Sequence, residues 1–533
     1  MNINRYFWTV ISLKPIQIYY QFKYRLFGYR KVRNKNCSSF KPDMDISIES
    51  LDEDEKYIDR FRADEILNNR IWLLNEYVKW QPGKWNYPER NHLWNFNLHY
   101  FEYGIALAAT YKRTKDEAYY KKLIELYEDW QNTCVENISG DAWHPYTISL
   151  RLKNLLIIYG MLTDKKSDWI GLVKQDIYDQ YRFLSANTEK NLFGNHYFEN
   201  LTTLFICSIF FEDNKHKKYY YKLLLKEIKE QILPDGMHFE RSFMYHNLIL
   251  EDLLRIYKVA DDHTRRLIKD IISAMAGCVS DFEHENRLPA FNDSGSNVAK
   301  SRSQLLQVSV ELTRVKPQVN LSLVNGGYYK CSHGRWTMIV DVGEYAPNYI
   351  SGHGHCDMLS FELYCDDEPI LVNSGTYQYQ SELRSYFRST KAHNTLQIDG
   401  IEQSEIWGEH RTGRQAKIIY KECKDNSILA VMKDYRGNRL KRRIKVTDEI
   451  KIADSASLPF TSYWHIHPNN KAIKNEGGKV EIDTPSGTTI ALESDNGIIN
   501  DISDECYYSE NFGELKNLPS YKVQNGKVSI RII

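Results

Sequence analysis

The sequence has no excess of either charge: 70 Lys and Arg stand against 70 Asp and Glu in 533 residues. No nucleic-acid partner is expected. Its nine cysteines, from Cys37 to Cys506, contain no Cys-x-x-Cys pair. That argues against a zinc ribbon and a disulfide framework, and an odd number of dispersed thiols fits a reducing compartment. No stretch approaches a membrane span, and no exact repeat is present. The amino-terminal apolar run, Tyr6 to Leu13, is broken by Thr9 and Ser12 and stops at Lys14-Pro15. No small-residue cleavage site follows, which argues against a signal peptide. The expected location is the cytoplasm, including the inner membrane surface, with periplasmic export left open.

What remains is an ordinary soluble composition, 42% hydrophobic and 26% charged. Aromatic content is high, with 38 Tyr and 11 Trp. Such side chains join an apolar face to a polar tip and suit sugar C–H faces, although large helical domains also pack with Tyr. The first 42 residues hold nine Lys/Arg and no Asp or Glu. This segment suits contact with an anionic membrane surface or an acidic partner, and equally a solvated helical extension.

From residue 60 to about 315 the apolar period is helical, as in Leu123, Leu126, Tyr127 and Trp130. Ile148–Ile158, Tyr219–Ile232 and Asn247–Ala260 behave alike, and Pro234-Asp235-Gly236 ends the third run. From about residue 325 the period becomes two. Thr337–Gly343, Leu359–Cys365 and Ile370–Val372 read as strands, and Thr447-Asp448-Glu449 as a hairpin turn. Helices followed by strands in so long a chain predict a multidomain α+β protein. We divide it into a basic aromatic extension (1–59), a helical domain (60–318) and an antiparallel sandwich (319–533).

Three segments carry chemically able residues. In Gly194-Asn-His-Tyr-Phe-Glu-Asn200 the helical spacing puts Glu199 on one face with Asn195 and His196, so that Glu199 can orient His196. The plainer alternative is a helix start capped by Asn195. Tyr245 begins a helical run one turn after Arg241, a cation able to lower its phenol pKa. In Ser351-Gly-His-Gly-His-Cys-Asp357, read as extended, His353 and His355 face the same way. One can act on a substrate while the other, with His393 and an oxygen donor such as Asn373, can ligate zinc.

With these segments in view, the chain resembles the heparinase II/III family of polysaccharide lyases and its relatives from bacterial surface-polysaccharide gene clusters. Further stretches that carry the likeness are Trp94–Phe101, His144–Arg151, Leu233–Gly236 with Phe239–Arg241, and Pro289–Asp293. The strongest are Gly352–His355, Tyr386–Thr390, Ala392–Thr395 and Gln403–Trp407. The resemblance implies an incomplete (α/α) toroid followed by an antiparallel β-sandwich. It implies β-elimination beside a uronic acid of an acidic polysaccharide, by Asn195, His196, Tyr245 and His353. It also implies a metal, zinc, at His355, position 373 and His393. Where zinc-binding relatives place Asp this chain has Asn373, a weaker neutral ligand.

In that reaction, hydrogen bonds from Asn195 and His196 neutralise the uronate and stabilise the enolate. Tyr245 or His353 removes the C5 proton, and Tyr245 protonates the leaving 4-oxygen. Arg151, Arg241 and Arg388 are candidate clamps for carboxylate or sulfate, and His99, Tyr100 and Trp143 candidate cleft walls. Two alternatives use the same residues differently. A uronate C5 epimerase returns the proton to the opposite face, and a non-catalytic member of a glycan-assembly system only binds the polysaccharide.

Overall fold

The computed structural model describes residues 3–32, 35–135, 140–285, 287–475, 478–502 and 504–533. The chain opens with helices α1 (Ile3–Ile11) and α2 (Pro15–Phe27). Pro15 takes the first position of α2, where a missing N–H costs nothing. Three short helical turns and a small hairpin (Arg70–Leu73 with Glu76–Lys79) lead into the main helical body.

That body begins with α3 (His92–Tyr100), α4 (Tyr103–Thr114), α5 (Glu117–Cys134), α6 (Pro145–Met161) and α7 (Lys166–Ala186). It continues with α8 (Gly194–Phe210), α9 (Asn214–Gln231), α10 (Phe243–Val259), α11 (Asp262–Phe282) and α12 (Arg302–Thr313). The helical periods read from the sequence fall inside α5, α6, α9 and α10. Inner helices α4, α6, α8 and α10 pack in succession, and each is backed by its outer partner α5, α7, α9 or α11. An inner helix touches neighbours on every side, so it must be apolar or small nearly all round. α8 meets that demand, with every residue except His196 buried. The result is an incomplete (α/α) toroid.

The second half is antiparallel. Five strands pair in chain order: Ser322–Leu323, Tyr328–His333, Trp336–Asp341, Phe361–Cys365 and Glu368–Leu371. An eight-stranded sheet and a four-stranded sheet complete the sandwich. The hairpin expected at Thr447–Glu449 joins Arg439–Val446 to Glu449–Ala456, with Val446 opposite Ile450. Burial alternates along Arg439–Val446, so one face is core and the other water. The inward Arg442 is kept by Asp454 at 2.8 and 2.7 Å and by the carbonyls of Leu359 and Asn394.

Each half has its own apolar core. A third cluster mixes Phe243, Met244 and Tyr245 of α10 with Tyr328, Ile339 and Tyr364 of the β half. This seam fixes the orientation of the two halves and carries Tyr245 into the space between them.

Candidate active site

Asp293, in the connection between α11 and α12, is the hub of the cleft. Its Oδ2 meets His353 Nδ1 at 2.9 Å and its Oδ1 meets His355 Nε2 at 2.9 Å. Arg384 grips the same carboxylate from its far side, with Nη2 at 2.8 Å from Oδ2. Burial alone would raise the Asp293 pKa, but Arg384 and the two histidine hydrogen bonds hold it well below the carboxylate range. The histidine segment is a loop, not the expected strand. His353 and His355 are aligned by the two oxygens of one carboxylate instead of by strand alternation.

Tyr245 lies against His353, ring centroids 4.0 Å apart, and its hydroxyl is 2.9 Å from that of Tyr379. Burial pushes its phenol well above the usual range, and Tyr379 and Asp293 push it further. The free protein therefore holds a neutral phenol, ready to donate a proton. Arg241 does not activate it: the guanidinium is turned to the carbonyls of Gly326, Phe239 and Asn325.

The third wall is the start of α8. Phe193 (φ 64°) and Gly194 (φ 58°) make a left-handed entry, so Phe193 holds the cap position and Asn195 is already inside the helix. The backbone N–H of Asn195 donates to Glu240 Oε1 at 2.9 Å and its Nδ2 reaches both Glu240 oxygens at 3.1 Å. Glu240 in turn stands 3.7 Å from His353 Nε2, linking α8 to the histidine loop. His196 is oriented by Glu189 at 2.9 Å and packs against Tyr146, ring centroids 4.4 Å apart. The expected orienter, Glu199, is spent on Lys153 at 2.6 Å, because its side of α8 faces the bundle interior. Burial lowers the His196 pKa, but Glu189, then Glu240 and Glu199, outweigh it and raise it.

His355 and His393 lie with ring centroids 5.3 Å apart. Each uses Nε2, His355 toward Asp293 and His393 toward the Phe387 carbonyl at 3.2 Å. Both Nδ1 atoms are buried without a partner. Burial keeps both rings neutral, His355 down to about 4 and His393 well below its ordinary value. Two bare imidazole lone pairs fit a divalent ion. The neighbouring Asn373 Oδ1, which accepts the Asn394 N–H at 3.0 Å, offers a neutral third donor. Among the described residues no three His, Cys, Asp or Glu converge as a metal cage.

Several expected wall residues turn out to be structural. Arg151 is fully buried and donates to Gln180, His99 O and Ala142 O. Arg388 is fully buried and donates to Gly354 O, Tyr345 and Thr412. His99 accepts from Trp130 Nε1 in the core, where burial lowers its pKa to about 3. Trp143 donates to Cys134 O and packs on Phe183. The Arg241 guanidinium is occupied as well, and Tyr100 packs edge-on against Tyr146, the ring next to His196. The site groups that sequence reasoning passed over are Glu189 and Tyr379. Tyr146, Glu240 and Asp293 stood inside quoted motifs without a role. The detectable signal was acids within otherwise apolar motifs, Phe239-Glu240 and Phe291-Asn-Asp293.

The model of the heparinase II/III N-terminus matches residues 16–314, and that of the heparinase II/III-like C-terminal domain matches residues 317–523. A heparin-sulfate lyase of Bacteroides thetaiotaomicron is 24% identical over 445 residues, 72% of this chain and 62% of that protein. One of Pedobacter heparinus is 23% identical over 392 residues, 64% of this chain and 58% of that protein. The chain thus spans less than two thirds of the length of these curated relatives. The crystal structure of heparinase III superposes with a TM-score of 0.72 at 17% identity, covering 97% of this chain and 91% of that one.

Proposed function

The chain belongs to the heparinase II/III family, and from that premise we propose that it is a polysaccharide lyase cleaving beside a uronic acid in an acidic polysaccharide. The observation that carries the proposal is the neutral Tyr245 phenol packed against a histidine, His353, that is itself backed by Asp293. β-Elimination needs a base for the C5 proton and an acid for the departing 4-oxygen. With Nδ1 directed at Asp293, His353 presents Nε2, 3.7 Å from Glu240, as the base for the C5 proton. Tyr245, a phenol in the free protein, supplies its proton to the 4-oxygen as the C4–O4 bond breaks and C4=C5 forms. His196, whose pKa is raised by Glu189 against the effect of burial, and the Asn195 amide bind the uronate carboxylate. They stabilise the charge that spreads onto it when the C5 proton leaves.

The test is a panel of acidic polysaccharides incubated with the full chain and followed near ~230 nm for unsaturated uronate. Unsaturated product is expected, and Tyr245→Phe should fold normally and lose roughly 10²–10⁴-fold in rate. Deuterium entering C5 from solvent without unsaturated product would overturn the lyase in favour of an epimerase.

The same proposal gives His355, His393 and Asn373 a divalent metal, zinc being the best match to two imidazoles. Bound there, it would supply a fixed positive centre that locks the loop carrying His353. Because Asn373 is a neutral ligand, the metal should be held weakly, and Asn373→Asp should raise retention about tenfold or more. Metal content after dialysis against a chelator measures this; equal loss from both proteins would contradict the assignment.

A further inference from the structure

Helices α1 and α2 have two unlike sides. One side is fastened to the protein. Gln17, 2% exposed, donates to the carbonyls of Leu192 and Tyr349 at 3.1 and 3.2 Å. Tyr24 donates to Thr188 O at 2.8 Å, and Lys14 pairs with Glu230. On α1, Thr9 donates to Thr412 O at 3.0 Å and accepts from Trp407 Nε1 at 3.1 Å, while Tyr6 packs on Trp407. The pair thus touches both the toroid and the sandwich.

The other side is apolar and open to solvent. Phe7, Ile11, Tyr19, Phe22, Leu26 and Phe27 are between 57% and 80% exposed. Tyr19, Phe22 and Leu26 recur at helical spacing, so they form one stripe on α2 opposite Gln17 and Tyr24. Lys23 and Arg25 flank that stripe, and Arg30 and Lys31 follow it. Arg33 lies outside the described residues. An apolar face of this size on a folded protein marks an interaction surface.

We propose that α1 and α2 form an interfacial anchor that seats this protein on an anionic phospholipid bilayer. Charge complementarity selects that occupant. The first 42 residues carry nine cations and no Asp or Glu, and Lys23 and Arg25 flank a mixed aromatic and aliphatic face. That is the arrangement in which an amphipathic helix lies in the headgroup region, its apolar side chains in the acyl boundary and its cations against lipid phosphate. The anchor goes beyond the proposed reaction and does not depend on it. It does have a consequence for the site, since α2 holds the Thr188–Leu192 segment from which Glu189 orients His196.

The full chain should co-sediment with phosphatidylglycerol-containing vesicles at least about tenfold better than with pure phosphatidylcholine vesicles. Phe22→Glu/Leu26→Glu should abolish that binding with unchanged circular dichroism and melting temperature. Lys23→Glu/Arg25→Glu, which leaves the apolar face intact, should weaken it and flatten the salt dependence of what remains. Three results would overturn the anchor: no sedimentation with either vesicle, equal sedimentation with both, or binding that survives the Phe22/Leu26 variant. A lipid-free dimer in analytical ultracentrifugation that the same variant dissociates would also overturn it, assigning the face to a second copy.

Discussion

At the scale of single residues, the cleft works by letting carboxylates decide which histidines are charged. His196 faces Glu189 at 2.9 Å, and its pKa rises in spite of burial. His355 shares Asp293 with Arg384, and burial prevails there, lowering it to about 4. The difference is the guanidinium, which neutralises Asp293 and leaves little field to hold a second cation. The sign for His196 follows. Its raised pKa means that stabilisation by Glu189 is complete below the ordinary histidine value and fades as pH rises through the folded value. If cationic His196 binds the uronate, the alkaline limb of kcat/KM lies above the ordinary histidine range. Glu189→Gln removes the charge but keeps a hydrogen-bonding partner, so that limb should move to lower pH. A pH–rate profile with the limb unmoved would sink the assignment of His196 as the carboxylate-binding cation.

At the scale of elements, the site is assembled from turns, and strained backbone marks them. Phe193, Arg241 and Asn292 all have positive φ, at 64°, 57° and 53°, and each lies within two residues of Asn195, Glu240 or Asp293. Non-glycine residues in this region cost of order 1–3 kcal/mol each and persist only where the surroundings enforce them. Gly194, between Phe193 and Asn195, is the tightest case: a Cβ there would sit 2.5 Å from Glu240 Oε1 on a backbone at φ 58°. Gly194→Ala should therefore displace Glu240, cost roughly 1–3 kcal/mol of stability, and reduce turnover more than the loss of stability explains. Urea unfolding alongside kcat separates the two effects, and full activity in the variant would contradict the positioning of Glu240.

These turns also explain what sequence could and could not disclose. The periods of α5, α6, α9 and α10 and the alternation of Arg439–Val446 are local consequences of burial on one face, so they were legible. Tyr245, His353 and Asn195 were legible as chemistry within recognisable motifs. The partners were not, because they are set by long-range closure. Glu189 is seven residues from His196, and Tyr379 is 134 residues from Tyr245. Helical spacing favoured Glu199 as the orienter, yet tertiary packing gave it to Lys153. The arginines misled for a related reason: a guanidinium buried among carbonyls joins a fold together as readily as it binds an anion.

At the scale of the whole molecule, the dominant electrostatic feature is the number of imidazoles buried neutral. Burial lowers His238, His284, His355 and His465 to about 4. It lowers His99, His246, His410 and His467 to about 3. A group whose folded pKa lies below its unfolded value of 6.5 binds protons more readily in the unfolded chain. Its stabilisation is whole above pH 6.5 and is lost as pH falls toward the folded value. Buried acids with raised pKa values act the other way. Glu283 is raised to about 8 and Asp357 to about 7, so both favour folding more at low pH. Asp176, Asp179, Glu227, Asp252, Asp341 and Glu402 are raised as well, and His144 and His393 join the lowered imidazoles. Ten lowered imidazoles thus stand against eight raised carboxylates, and the unfolded state keeps the readier hold on protons between pH 4 and 6.5. Each pKa unit corresponds to about 1.4 kcal/mol, against a whole-protein stability of roughly 5–15 kcal/mol. Protonating even a few of these rings would therefore exceed that margin. The protein should lose native circular dichroism and tryptophan fluorescence between pH 6.5 and 4. The toroid and sandwich should unfold in one transition, because Asp293, His353 and Arg384 join them. Native spectra retained at pH 4, or two resolved transitions, would show that the imidazoles reach water without breaking the seam between the halves.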